Sequence, residues 1–133
     1  PASGFVGPVG GLCIGLAGGI ICYLAVNVIK QRFNIDDSLD VFAVHGVGGI
    51  LGTLLAAVFA LPVLGGVGLP EGADLSSQIG VQAIGVIAVV LWTAIASLVI
   101  LKITNSIGAL RASDDEITEG MDLAYHGEQD YNY

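Results

Sequence analysis

Three long apolar runs, at about 5–29, 38–61 and 79–104, are separated by short stretches where charge, proline or glycine collects. Each run can cross a hydrocarbon core of about 30 Å at about 1.5 Å per residue. None shows the alternation of a barrel strand. In lipid a segment must satisfy its own backbone hydrogen bonds, so each run is predicted to be helical. The expected fold class is all-α: a polytopic transmembrane bundle in which residues 1–111 hold three spanning helices and their loops, and residues 112–133 form an acidic regulatory tail.

The breaks between runs have their own chemistry. Asn34 to Ser38 is a short polar link in which Asp36 or Asp37 can cap the second helix, with Asp40 in that helix's positive first turn. Pro62, Gly65, Gly66, Gly68 and Pro70 interrupt helix before the third span, whose start is expected near Ser76 or Ser77. Within the spans, Gly7, Gly11, Gly15 and Gly19 recur every fourth residue, and Gly48, Gly52, Ala56 and Ala60 repeat that spacing. Such ridges let helix backbones approach closely. Gln78 and Gln82 share a face and are expected to bond to neighbouring helices, while Trp92 is expected to pack against protein or lipid. Cys13 and Cys22 lie about 180° apart and roughly 13 Å apart along a helix, too far for a mutual disulfide.

Composition agrees with a lipid setting, with 54% hydrophobic and 12% charged residues. Of the four basic residues, Lys30 and Arg32 follow the first span, and Lys102 and Arg111 sit at and beyond the end of the third. Three crossings put these ends on one side. The opposite loop has Glu71 and Asp74 but no Lys or Arg, so the positive-inside rule places the tail in the cytoplasm and the amino terminus outside. The net charge of -8 comes mostly from Asp114, Asp115, Glu116, Glu119, Asp122, Glu128 and Asp130, and nucleic acid is not an expected partner. Acidic composition favours a solvated, partly disordered tail. Ile117, Met121, Leu123, Tyr125, Tyr131 and Tyr133 nevertheless offer apolar anchors for docking. The chain opens at Pro1 with a span already under way at Phe5, which leads to the expectation of a piece of a longer protein.

His45 is the chemically distinctive residue. It lies about 12 Å into the second helix from Asp37, near the bilayer midplane. Ionisable groups at that depth usually face a bundle interior or an aqueous path, although a histidine that only bonds helices together is the simpler alternative. Val41 is one turn before it, Phe42 three residues before and Gly49 one turn after. A neutral imidazole both donates and accepts hydrogen bonds, so an apolar conduit bearing one suits a small polar solute better than a bare ion. Asp40, nearer the cytoplasm, can cap the helix or attract a cation at the inner mouth. His126-Gly127-Glu128 lacks a second metal ligand and no nucleophile is paired with a base, so neither enzyme activity, nor a metal, nor a cofactor is expected.

The run Asp36-Asp37-Ser38-Leu39-Asp40-Val41-Phe42-Ala43-Val44-His45-Gly46-Val47-Gly48-Gly49-Ile50-Leu51-Gly52 resembles the penultimate helix of the ammonium transporter family. Glu119-Gly120-Met121-Asp122-Leu123 and His126-Gly127-Glu128 resemble that family's cytoplasmic segment, and the likeness extends to Pro1–Gly11. The resemblance implies an eleven-helix transporter fold of which these are the ninth to eleventh spans. It also implies that His45 is the second of twin pore histidines, that Val41 lines the same conduit and that Asp40 lies near its cytoplasmic mouth. Ammonium or ammonia is then the substrate, membrane lipid the surroundings and the cell (inner) membrane the location. A homotrimer with one pore per subunit and docking of a PII-type nitrogen-regulatory protein at the tail are implied as well. An ammonium sensor of the same fold, or a non-transporting helical membrane subunit, are the competing readings.

Overall fold

A computed structural model describes residues 2–35 and 37–128. Asp36, one of the two expected caps, and Asp130, Tyr131 and Tyr133 of the tail lie outside the described residues. Among the described residues all elements are helical. Three are long and apolar enough to span a membrane: α1 (Pro8–Arg32, mean hydropathy 2.2), α2 (Phe42–Phe59, 1.9) and α3 (Leu75–Ile107, 2.7). Two short helices follow, α4 (Asp114–Glu119) and α5 (Met121–His126). The residues group into two compact units, one ending at Val90 and the other beginning at Leu91.

In the first unit α1 and α2 pack as an antiparallel pair. The pairing follows from small residues. Ala43, Ala56, Ala57 and Ala60 are buried, together with Gly52 and, on α1, Ile29. A Cβ added to Gly10 would come within 2.9 Å of Phe59 Cβ, and one added to Gly48 within 3.0 Å of Cys22 Sγ, so both glycines are contact points. The expected ridge on α1 is only partly used within the chain: Gly7 meets the backbone of Gly65, whereas Gly11, Gly15 and Gly19 have nothing within 4 Å of an added Cβ. The glycine that seats Phe59 is Gly10, off the four-residue row.

Both spans change winding near the link between them. The last turn of α1, Val28–Arg32, and the first of α2, Phe42–Val47, have π-helical i→i+5 bonding. Asn34 at φ 50 closes α1 in the left-handed conformation, and the Ile35 amide reaches back six residues to the Ile29 carbonyl at 3.2 Å, one residue further than the bond that ends many α-helices. Asp37 starts α2, its two carboxylate oxygens accepting from the amides of Val41 and Phe42 at 2.9 Å each. The π turn also alters register. Ala43 and Gly48 are five apart, whereas Gly48, Gly52, Ala56 and Ala60 step by four. A regular α-helix would have put Val44 in the seam, and Val44 is 44% exposed while Ala43 is 0% exposed.

After α2 the chain reverses through a short 3-10 turn, Pro62–Leu64, and left-handed glycines at 65, 68 and 72. The Val67 amide bonds to the Phe5 carbonyl at 3.1 Å, tying this loop to the segment before α1. Asp74 then opens α3 at Leu75, one to two residues before the expected start at Ser76 or Ser77. Its carboxylate accepts from the Ser77 amide at 2.7 Å, and its own amide donates to Ser77 Oγ at 3.0 Å. The Ser77 amide, followed by the Ser77 and Ser76 hydroxyls, holds the Asp74 carboxyl below its ordinary range.

In the second unit the tail is folded where composition favoured disorder. Ser113 and Glu116 form a reciprocal capping box: the Glu116 amide donates to Ser113 Oγ at 3.3 Å, and the Ser113 amide donates to Glu116 Oε2 at 2.7 Å. Gly120 at φ 101 links α4 to α5, and Gly127 at φ 65 ends α5. The Ser113 amide, then the Ser113 hydroxyl, then the Tyr125 hydroxyl of α5 hold the Glu116 carboxyl below its ordinary range. The same bond to Glu116 pushes the Tyr125 phenol up. Ile117, Met121 and Tyr125 each leave about half their surface exposed.

Candidate conduction site

His45 sits inside the π turn of α2, on the side turned away from the Ala43–Gly48 seam. Its side chain is exposed, and among the described residues the ring has no hydrogen-bond or ion-pair partner. Val41 is 51% and Phe42 59% exposed on the approach to it. The arrangement is one hydrogen-bonding ring, with both nitrogens available, on an otherwise apolar helix face.

Asp40 stands at the foot of this face. Of its two expected roles, the cap belongs to Asp37, whose carboxylate holds the first free amides of α2. Asp40 lies before the first helical turn at φ 55, and its carboxylate is engaged by Lys30 Nζ at 2.8 Å. Its carbonyl accepts from the Val44 amide at 2.8 Å. On the other flank of the histidine, the Cys22 thiol lies 3.8 Å from the Val44 carbonyl, within range of a weak S–H···O bond. Lys30 and Cys22 were not singled out by sequence as site residues. The signal for Lys30 was its position just before a tight reversal that had to bring it back toward Asp40.

At the other end of α2 a cavity of about 380 Å³ opens between Thr53, Ala56, Ala57 and Ala60 and the first turns of α3, which contribute Gln78 and Gln82. Gln82 Oε1 is buried there without a hydrogen-bond partner among the described residues, so the interhelical bond expected of it is not made by that oxygen.

The family comparison bears on what this face belongs to. The family model described as Ammonium Transporter Family matches residues 1–131. The chain belongs to the ammonium transporter family. It is 43% identical to an ammonium transporter of Aquifex aeolicus over 99% of its own length and 31% of that protein. It is 37% identical to an ammonium transporter of Bacillus subtilis and 38% identical to ammonium transporter Amt1 of Archaeoglobus fulgidus, each match covering 98% of this chain and 33% of the relative. The chain thus spans about a third of the length of these relatives. Its helices are those of a membrane transporter family, and the resemblance carried by the Asp36–Gly52 sequence extends over nearly the whole chain.

Proposed function

We propose that the protein to which this chain belongs carries ammonium across a membrane, with ammonia passing along an apolar path whose wall includes His45 and Val41. The observation that carries this reading is the state of His45: an imidazole in the first turn of the described span, rather than near its middle as counting from Asp37 suggested, exposed and unpaired among the described residues, on a helix apolar enough to cross the bilayer. An ammonium ion entering such a path would lose hydration that apolar side chains do not replace. Neutral ammonia donates and accepts, as imidazole does, and passes at lower cost. The proton is therefore separated from the ammonia before the apolar stretch.

The same reading places Lys30, Arg111 and the tail in the cytoplasm, from the basic residues on that side of the spans. It takes the assembly to be a homotrimer with one path per subunit. It assigns the tail, folded around the Ser113–Glu116 box, to regulation by a PII-type partner.

The test is substitution of His45 by leucine in the full-length protein reconstituted into vesicles. Methylammonium uptake should fall by about tenfold or more, or potassium should no longer be excluded, since loss of a polar partner in a desolvated site costs about 1–3 kcal/mol. Unchanged uptake together with unchanged potassium exclusion would refute the role. Binding of ammonium with tail rearrangement but no flux would favour a sensor instead.

A further inference from the structure

We propose that Lys30 and Asp40 act as positioning residues for His45: their ion pair clamps the π turn ending α1 to the π turn that carries the histidine. This rests on the conduction reading above and adds a regulator of ring placement to it. The pair, at 2.8 Å, bridges the reversal between the two spans. It ties the π-helical stretch Val28–Arg32 to the residue two positions before the other π-helical stretch among the described residues, Phe42–Val47.

Two features make the clamp consequential for the ring. Asp40 holds φ 55, a left-handed conformation that L residues adopt rarely and Asp and Asn better than most, so its backbone needs support from its surroundings. Its carbonyl receives the amide of Val44, the residue next to His45, so rotation at Asp40 passes directly into the histidine's turn. Cys22 Sγ, beside the Val44 carbonyl and Gly48, holds the upper flank of that turn. The ion pair holds the lower one.

The rival role for Asp40 is attraction of a cation at the inner mouth. The two roles predict opposite signs. If Asp40 attracts the cation, Lys30 competes with the substrate for the carboxylate, and removing Lys30 should raise uptake while removing the carboxylate lowers it. If the pair is a clamp, removing either partner should lower uptake, and removing both should do little more than removing one.

The experiment uses the full-length protein with Lys30→Gln, Asp40→Asn, the double variant and Lys30→Arg. Asn tolerates the left-handed backbone at position 40, so that variant isolates the charge. Both single variants should reduce maximal methylammonium uptake by about two- to fivefold, the scale of a partly exposed ion pair, with KM little changed. The double variant should match the weaker single, and Lys30→Arg should recover most of the rate. A second readout does not depend on flux: the ring 15N NMR signal of His45, assigned by its loss in His45→Asn, should move in both single variants. Opposite signs for the two singles, additive losses, or a stationary His45 signal would each overturn the clamp. Should the unsubstituted protein carry no flux, the conduction reading fails separately, and the histidine signal alone decides the clamp.

Discussion

The contact between Gly48 and Cys22 offers a quantitative test of how the α1–α2 seam is held. An added Cβ at Gly48 would stand 3.0 Å from Cys22 Sγ and meet nothing else within 4 Å. Ordinary carbon contacts optimise at about 3.5–4.0 Å, so the Gly48→Ala variant must move the sulfur by roughly half an ångström or more. The obstacle is the end of one rotatable side chain, so the cost is that of an off-rotamer χ1, about 0.5–1.5 kcal/mol. Against it stands the helix preference of alanine over glycine, about 0.8–1.0 kcal/mol. The single variant should therefore be close to neutral. Combining it with Cys22→Ala removes the obstacle and leaves the propensity gain, so the double variant should exceed the sum of the singles by about 1 kcal/mol. Reversible unfolding of the full-length protein in mixed detergent, followed by circular dichroism, gives the four free energies of the cycle. Additivity within about 0.3 kcal/mol, the level expected of sites that do not touch, would show that the seam does not close on this contact.

Two further outcomes follow from the caps. Replacing Asp37 with alanine should cost about 1 kcal/mol and speed hydrogen exchange at the Val41 and Phe42 amides, which its carboxylate holds, while amides beyond Gly52 stay protected. In the tail, the Glu116 carboxyl is depressed in the folded form by its bonds to Ser113 and Tyr125, so its contribution to folding is present above the unfolded pKa of Glu and is lost as pH falls through the lower folded value. Amide exchange across Asp114–His126 should accelerate on acidification through that window, and Ser113→Ala should flatten the dependence.

Much of this architecture was legible in sequence because hydropathy reports which segments leave water. The three spans and the isolation of His45 needed nothing more. Hydropathy does not report hydrogen bonding, and so α3 starts at Leu75, where Asp74 and Ser77 satisfy the free amides, rather than where the apolar run thickens. Nor does it distinguish faces in a helix that is apolar all round, which is why the four-residue glycine row on α1 pointed away from Gly10. The π turns left only one trace, the five-residue step from Ala43 to Gly48. The tail erred in the other direction: bulk charge argued for disorder, while Ser113 and Glu116, three apart, carried the local signal of a helix start.

The π turn also explains how one chain can pack tightly and still leave a polar ring unencumbered. In a regular α-helix starting from the same seam of Gly48, Gly52 and Ala56, the seam would run on through Val44, and His45 would lie one position from it. The extra residue in the turn moves the seam to Ala43, a fully buried small residue, and carries His45 one position further round, away from α1. The ring then loses any neighbour on α1 that could occupy its nitrogens. The backbone around the turn is engaged through Asp37, Lys30–Asp40 and Cys22, and no bond among the described residues occupies the ring. In the conduction proposed above that division has a use: bonds from α1 that held the ring directly would fix it equally well but would occupy the donor and acceptor offered to the solute.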